Sequence, residues 1–197
     1  MISPNFIFLG VFLQLIGGFS YIRDNLKGKI KPNKVSWLLW SIVPFIAFVA
    51  EIQQGVGILS LATFILGFVP LLVFIASFFN KKAEWKIQKL DIICGILSFM
   101  GLILWLITDI GNFAILFSIM ADLLAGIPTV VKSYTNPESE NDVVYLFGFI
   151  NAGIALLTIS LWNFEHFAYP IYLLIVNIIL VTLIRFKIGK KLSFKFH

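Results

Sequence analysis

Seven apolar runs, at about 5–22, 35–52, 57–79, 91–108, 112–133, 143–162 and 169–187, follow one another with short connections. A run of about 20 apolar residues is long enough to cross the hydrocarbon core of a bilayer as a helix. Backbone groups in hydrocarbon must be hydrogen-bonded within their own segment or around a closed barrel. The alternating segments of a barrel do not occur in this sequence, so the fold class it predicts is all-α integral membrane, with seven transmembrane helices. Composition agrees, because 59% of the residues are hydrophobic and only 13% charged, against roughly 45–50% and 25% in soluble folds.

The formal charge of +5 would suit a nucleic-acid partner if it were spread over one surface, but its placement points elsewhere. The basic residues fall in four groups: Arg23, Lys27, Lys29, Lys31 and Lys34; Lys81, Lys82, Lys86 and Lys89; Lys132; and Arg185, Lys187, Lys190, Lys191 and Lys195. With seven spans these groups occupy alternate connections and the C-terminus. The intervening connections, at Gln53–Gly55, Asp109–Gly111 and Asn163–Ala168, hold no Lys or Arg. By the positive-inside rule the basic side is cytoplasmic, which puts the N-terminus outside and the C-terminus inside a bacterial-type plasma membrane. The expected partner is the lipid bilayer, with no nucleic acid. Glu51, Asp109 and Glu165 are expected at the outer helix ends, in water.

The first run has no basic stretch before it and no small-residue cleavage site, so it reads as a retained helix and not a signal peptide. The loops of any size, 23–34, 80–90 and 134–142, and the basic tail from Gly189, are too short for a separate catalytic domain. The one cysteine, Cys94, excludes an intramolecular disulfide and a thiol-pair redox centre.

The chain also repeats itself. Leu13-Gln14-Leu15-Ile16-Gly17-Gly18 in the first run aligns with Ala121-Asp122-Leu123-Leu124-Ala125-Gly126 in the fifth, Gln14 opposite Asp122 and Gly17-Gly18 opposite Ala125-Gly126. A proline follows in each loop, Pro32 or Pro137, with an aromatic eight residues later, Trp40 or Tyr145. Helices one to three therefore correspond to helices five to seven. With one helix between the triplets, both copies enter the membrane from the same side. The architecture is two parallel three-helix repeats joined by a linker helix (3+1+3): residues 1–80, a basic loop and linker helix over 81–110, residues 111–190, and a basic tail over 191–197. Repeats of this kind occur in transporters.

Ile127-Pro128-Thr129-Val130-Val131-Lys132-Ser133-Tyr134, followed by a polar loop, resembles the PQ-loop motif of the SWEET and SemiSWEET sugar transporters, and Lys29-Ile30-Lys31-Pro32-Asn33-Lys34-Val35-Ser36-Trp37 is similar in its second half. The departures are Thr129 in place of the motif's glutamine and Ser20-Tyr21 in place of its Pro-Gln pair. The same architecture is similar to Pnu-type nicotinamide riboside transporters, lysosomal amino-acid and cystine exporters, and the KDEL receptor. The resemblance implies the fold and leaves the solute open; it also implies that asparagines of the last helices serve a sugar site.

Among single residues Asp122 stands out. It lies near the middle of the fifth run, where a charged carboxylate costs at least roughly 2.5–3.5 kcal/mol. A proton-coupling or substrate-binding carboxylate would justify that cost; so would a neutral acid hydrogen-bonded to a neighbouring helix, with Gln14 across the repeat axis as partner. Asn151, Asn177 and Gln14 are mid-run amides, which serve as interhelical glue or, grouped with Asp122, as a solute site. Trp40 and Tyr145 are candidates for an inner gate or a wall on which a ring-shaped solute stacks. Trp37, Trp85 and Trp162 read as interfacial anchors. Pro44, Pro70 and Pro128 interrupt helices, and Pro128 beside Gly126 is the candidate hinge.

A rhodopsin is excluded because the last run has no lysine at depth. His166 and His197 lie outside the runs, so no metal site and no cofactor are expected. Phosphate-cradling glycine loops and nucleophile elbows are missing, so no enzyme is expected. The function these features predict is a transporter or facilitator of a small polar solute, of sugar, nucleoside or amino-acid size, working by alternating access, with proton coupling through Asp122 as an open alternative. A non-transporting receptor or assembly factor of the same fold is the second reading. A lipid-modifying enzyme is disfavoured because Asp122 has no catalytic partner in the sequence. Whether copies associate into a homo-oligomer is left open.

Overall fold

The computed structural model describes residues 2–53, 60–79, 85–108, 111–160 and 162–193; Asp109, Lys81, Lys82, Lys195, His197 and the side chains of Glu51 and Glu165 lie outside the described residues. Within them the chain is helical and has no strand: α1 Ile7–Leu26, α2 Lys34–Gln53, α3 Ser60–Ala76, α4 Lys89–Ile107, α5 Gly111–Thr135, α6 Asp142–Thr158, α7 Phe164–Phe186 and α8 Ile188–Ser193. A helix occupies each of the seven apolar runs. Ile7–Leu26, Ile115–Thr135 and His166–Phe186 are long and apolar enough to cross a membrane, and they support association with a bilayer.

The ends differ from the apolar runs where local chemistry overrides hydropathy. α1 continues through Arg23-Asp24-Asn25 and stops only where Gly28 turns left-handed, at φ 71°, and its N–H donates to the Asn25 carbonyl. α7 begins ahead of its apolar run because the Asn163 side chain caps it, accepting from the His166 N–H. The basic tail starts as a helix of its own: Lys187, at φ 50°, breaks α7, and α8 follows. Lys187 and Lys190 both reach Glu138, at 3.2 and 2.7 Å.

Around the bundle, α1 packs on α3 and α6, α2 on α3 and α5, α5 on α4 and α7, and α6 on α7. Small residues permit the closest approach: a Cβ on Gly17 would lie 3.0 Å from the Val144 Cα, so α1 and α6 meet backbone to backbone. Large apolar side chains face outward while several polar ones are buried. Phe19 and Ile107 are 72% and 69% exposed, while Asn33, Ser36, Asp91, Asp122, Lys132 and Glu140 are buried. That is the distribution expected when hydrocarbon surrounds the bundle. The core cluster of Tyr21, Ile30, Trp37, Val73, Tyr145 and Ile184 sits near the helix ends that carry the basic loops, below the site described next.

Candidate functional site

A cavity of about 670 Å³, its open mouth included, lies between α1, α2, α3, α5, α6 and α7. Gln14, Trp40, Asp122, Tyr145, Asn151 and Asn177 all line it. The six residues singled out in the sequence thus meet in one space. Pro44 and Pro70 also face it. A second cavity of about 680 Å³ adjoins it, sharing Leu66, Asn151, Tyr169 and Leu173, and runs past Thr63 and Pro170 to Ile7 and Thr158. Those are the helix ends opposite the basic loops.

Asp122 is 6% exposed. Its carboxylate accepts from the Tyr172 hydroxyl at 2.6 Å and from the Tyr169 hydroxyl at 3.4 Å. Gln14, the partner suggested by the repeat, is not bonded to it. The Gln14 Oε1 is instead buried without a hydrogen-bond partner among the described residues. Two tyrosines one helical turn apart on α7 therefore hold the carboxylate, a pairing whose only trace in the sequence is Tyr-x-x-Tyr at the start of an apolar helix. Among the described residues no Lys, Arg or His lines the cavity, so its one ionisable carboxylate has no cation beside it there.

The two asparagines are held differently. Asn177 donates to the Leu173 carbonyl at 2.8 Å, one turn back on its own helix, and its Oδ1 sits against Gly148, where a Cβ would come within 2.6 Å. Glycine at that position lets α6 and the Asn177 amide share the space. Asn151 lines both cavities and so stands between the central space and the face away from the basic loops.

Aromatic rings form the floor. Trp37 stacks near Tyr145, with centroids 6.4 Å apart and planes at 29°, and meets Trp40 edge-on at 5.3 Å. Trp40 donates from Nε1 to the Asp122 carbonyl at 3.4 Å, and its ring lies against Gly126, where a Cβ would sit 3.3 Å from Cζ2. Gly126 is thus a contact for Trp40 within α5, which runs unbroken across Pro128. Trp37 is not an interfacial anchor: it is 2% exposed and donates to the Tyr21 hydroxyl at 3.3 Å. The pull of a buried aromatic cluster outweighs the headgroup region for this ring. Trp162, 63% exposed, lies at the other end of the bundle.

Beneath the floor is a second polar group that hydropathy conceals. Lys132 and Glu140 form an ion pair at 2.7 Å with both side chains at 0% exposure. Charge placement alone counts Lys132 among the basic groups of the cytoplasmic side; its side chain turns inward, where Glu140, Lys31 and Trp85 surround it. It donates to the Lys31 carbonyl and lies 5.0 Å from the Trp85 ring centre. Trp85, expected as an interfacial anchor, donates to Asp91, which also accepts from the Asn33 side chain and the Gln88 N–H.

Comparison with protein-family models, curated proteins and solved structures finds no match. The reading of this site therefore rests on its own chemistry. It can accept hydrogen bonds through Asp122 and the Gln14 Oε1, stack a ring on Trp37, Trp40 or Tyr145, and hold a cation or a proton at Asp122. Among the described residues no group of three or more His, Cys, Asp and Glu is placed to hold a metal ion.

Proposed function

We propose that this chain is a multi-pass membrane transporter or facilitator of a small polar solute, with seven spanning helices arranged 3+1+3 and the basic loops in the cytoplasm. The observation that carries the reading is the cavity itself: six polar or aromatic side chains from α1, α2, α5, α6 and α7 converge on one space inside a bundle with an apolar exterior. Intramembrane polar groups are costly and mark solute or ion paths.

The packing supports the repeat. Exchanging α1, α2 and α3 for α5, α6 and α7 maps the contacts onto one another: α1 with α3 onto α5 with α7, α2 with α3 onto α6 with α7, and α1 with α6 onto α5 with α2. α4, outside this exchange, is the linker. The resemblance to PQ-loop and SWEET-like transporters fits the pattern, and both motif departures have packing roles. Thr129 donates to the Ser36 hydroxyl at 3.0 Å, joining α5 to α2, and Tyr21 joins α1 to Glu140. Alternating access then moves one three-helix bundle against the other, with Gly126 and Pro128 as the hinge in α5.

Uptake of a pooled panel of sugars, nucleosides and amino acids into proteoliposomes, with and without a pH gradient, tests the reading. Gradient-driven uptake in the wild type that disappears in Asp122→Asn is the outcome expected of proton-coupled transport. Equal uptake by both proteins without a gradient identifies a facilitator with a structural aspartate. Binding of a panel member without translocation overturns transport in favour of a receptor.

A further inference from the structure

Both ends of the cavity matter to a carrier, and in this structure they differ. Toward the face without basic loops the central cavity adjoins the second one, with Leu66, Asn151, Tyr169 and Leu173 lining both. Toward the basic face it ends on Trp37 and Tyr145, and beneath them lies the buried Lys132–Glu140 pair. We infer that Lys132 and Glu140, with Tyr21 and Tyr145, form the latch that shuts the cavity toward the basic face, and that breaking it is the step that opens this site to the cytoplasm. The inference rests on the transport reading and specifies how that site is gated.

The connections make the case. Glu140, in the loop before α6, takes the Tyr21 hydroxyl of α1 at 2.7 Å and the Tyr145 hydroxyl of α6 at 3.3 Å on one oxygen, and the Lys132 ammonium of α5 on the other. Lys132 in turn donates to the carbonyl of Lys31, between α1 and α2. One carboxylate and one ammonium thus tie α1 and the α1–α2 loop, from the first half, to α5 and α6 of the second, at the end of the bundle that carries the basic loops. Tyr145 is shared: its ring is cavity wall and its hydroxyl is latch. Movement of the wall and release of Glu140 are therefore one event.

A buried ion pair suits a latch for a physical reason. Desolvation largely offsets the Coulomb attraction of such a pair, so the dry, paired state and a wetted, separated state lie close in free energy.

The test is thiol accessibility in reconstituted full-length protein. Cys94→Ala removes the native thiol, and Val176→Cys puts a reporter on the cavity wall. A membrane-impermeant maleimide is applied from each face in turn. Glu140→Gln together with Lys132→Met, which leaves no lone buried charge, should raise labelling from the basic face about tenfold, a change of about 1.4 kcal/mol, and lower it from the opposite face. Tyr21→Phe, which keeps the ion pair, should give a smaller rise in the same direction. Labelling from the basic face that is unchanged in both variants overturns the latch, as does a rise that is equal from both faces, which is general loosening. Face-specific labelling with no solute moved sustains the latch and removes the transport reading; solute uptake with unchanged labelling does the reverse.

Discussion

Asp122 and Glu140 are both buried acidic residues, yet they are treated in opposite ways. Glu140 has a cation at 2.7 Å and two tyrosine hydroxyls, so its charge is matched within the protein. Asp122 has two tyrosine hydroxyls and no cation around its cavity among the described residues. A matched charge joins the segments that supply its partners. An unmatched one faces a space that a cation, a proton or a donor-bearing solute can enter. On the proposed reading, the contrast separates the latch from the solute site. Asp91 falls on the structural side, since three donors from the segment 33–88 fix it at the start of α4.

The largest expected effect comes from unbalancing the matched pair. Glu140→Gln alone leaves the Lys132 ammonium buried and uncompensated, which should cost about 3–5 kcal/mol in thermal or denaturant unfolding in detergent. Adding Lys132→Met should recover most of the loss. If the single variant is no less stable than the double, Glu140 is not a matched charge and the contrast collapses.

Asp122→Asn should behave in the opposite sense. Stability should change by less than about 1 kcal/mol or rise, because the variant removes a charge that is costly at depth. Uptake of the transported solute should nevertheless fall roughly 10- to 100-fold, the equivalent of losing one charge-assisted hydrogen bond. A stability loss as large as that of Glu140→Gln would make Asp122 structural.

The tyrosines sharpen the comparison. Tyr172→Phe removes the 2.6 Å bond to Asp122 and should cost about 1–2 kcal/mol, with Tyr169→Phe, at 3.4 Å, costing less. Equal losses would mean that both hydroxyls bind the carboxylate alike. Gly126→Ala brings a Cβ to 3.3 Å from Trp40; uptake should fall several-fold while stability changes by less than about 1 kcal/mol. Unchanged uptake would remove both the contact and the hinge from the mechanism.

The smallest effect is at the surface. The Glu138 carboxyl is held well below the usual range, at about 2, by hydrogen bonds from Lys190, from its own backbone N–H and from Lys187. A depressed carboxylate stabilises the folded form above its ordinary value of 4.5, and that stabilisation is lost as the pH falls toward about 2. Protection of α8 amides in hydrogen exchange should thus be flat above pH 5 and fall below about pH 4. Loss beginning near neutrality would point to a different titrating group. Exposed pairs contribute little, so Glu138→Gln should affect α8 and not the bundle.

Hydropathy located the helices because each apolar run is a local property: in hydrocarbon a stretch of this length has one economical backbone conformation. The repeat brought Gln14 and Asp122 into register, and depth in their runs singled out Asn151 and Asn177. Those residues face one cavity, the convergence expected of mid-run polar groups if lipid surrounds the bundle. What no local pattern could supply was the identity of partners. Tyr169 and Tyr172 read as ordinary aromatics until α5 and α7 pack together, and Trp37 reads as an anchor until Tyr21 lies beside it. Lys132 looks like one more basic loop residue, although Glu140 is only eight positions away. The sequence by itself determined which segments are helical and which polar residues sit at depth, since both follow from the cost of exposing peptide groups and charges to an apolar surrounding. Only the tertiary structure decided which of the buried charges is matched and which is left facing open space, because a charge is matched by geometry between segments distant in the chain, and hydropathy carries no information about that geometry.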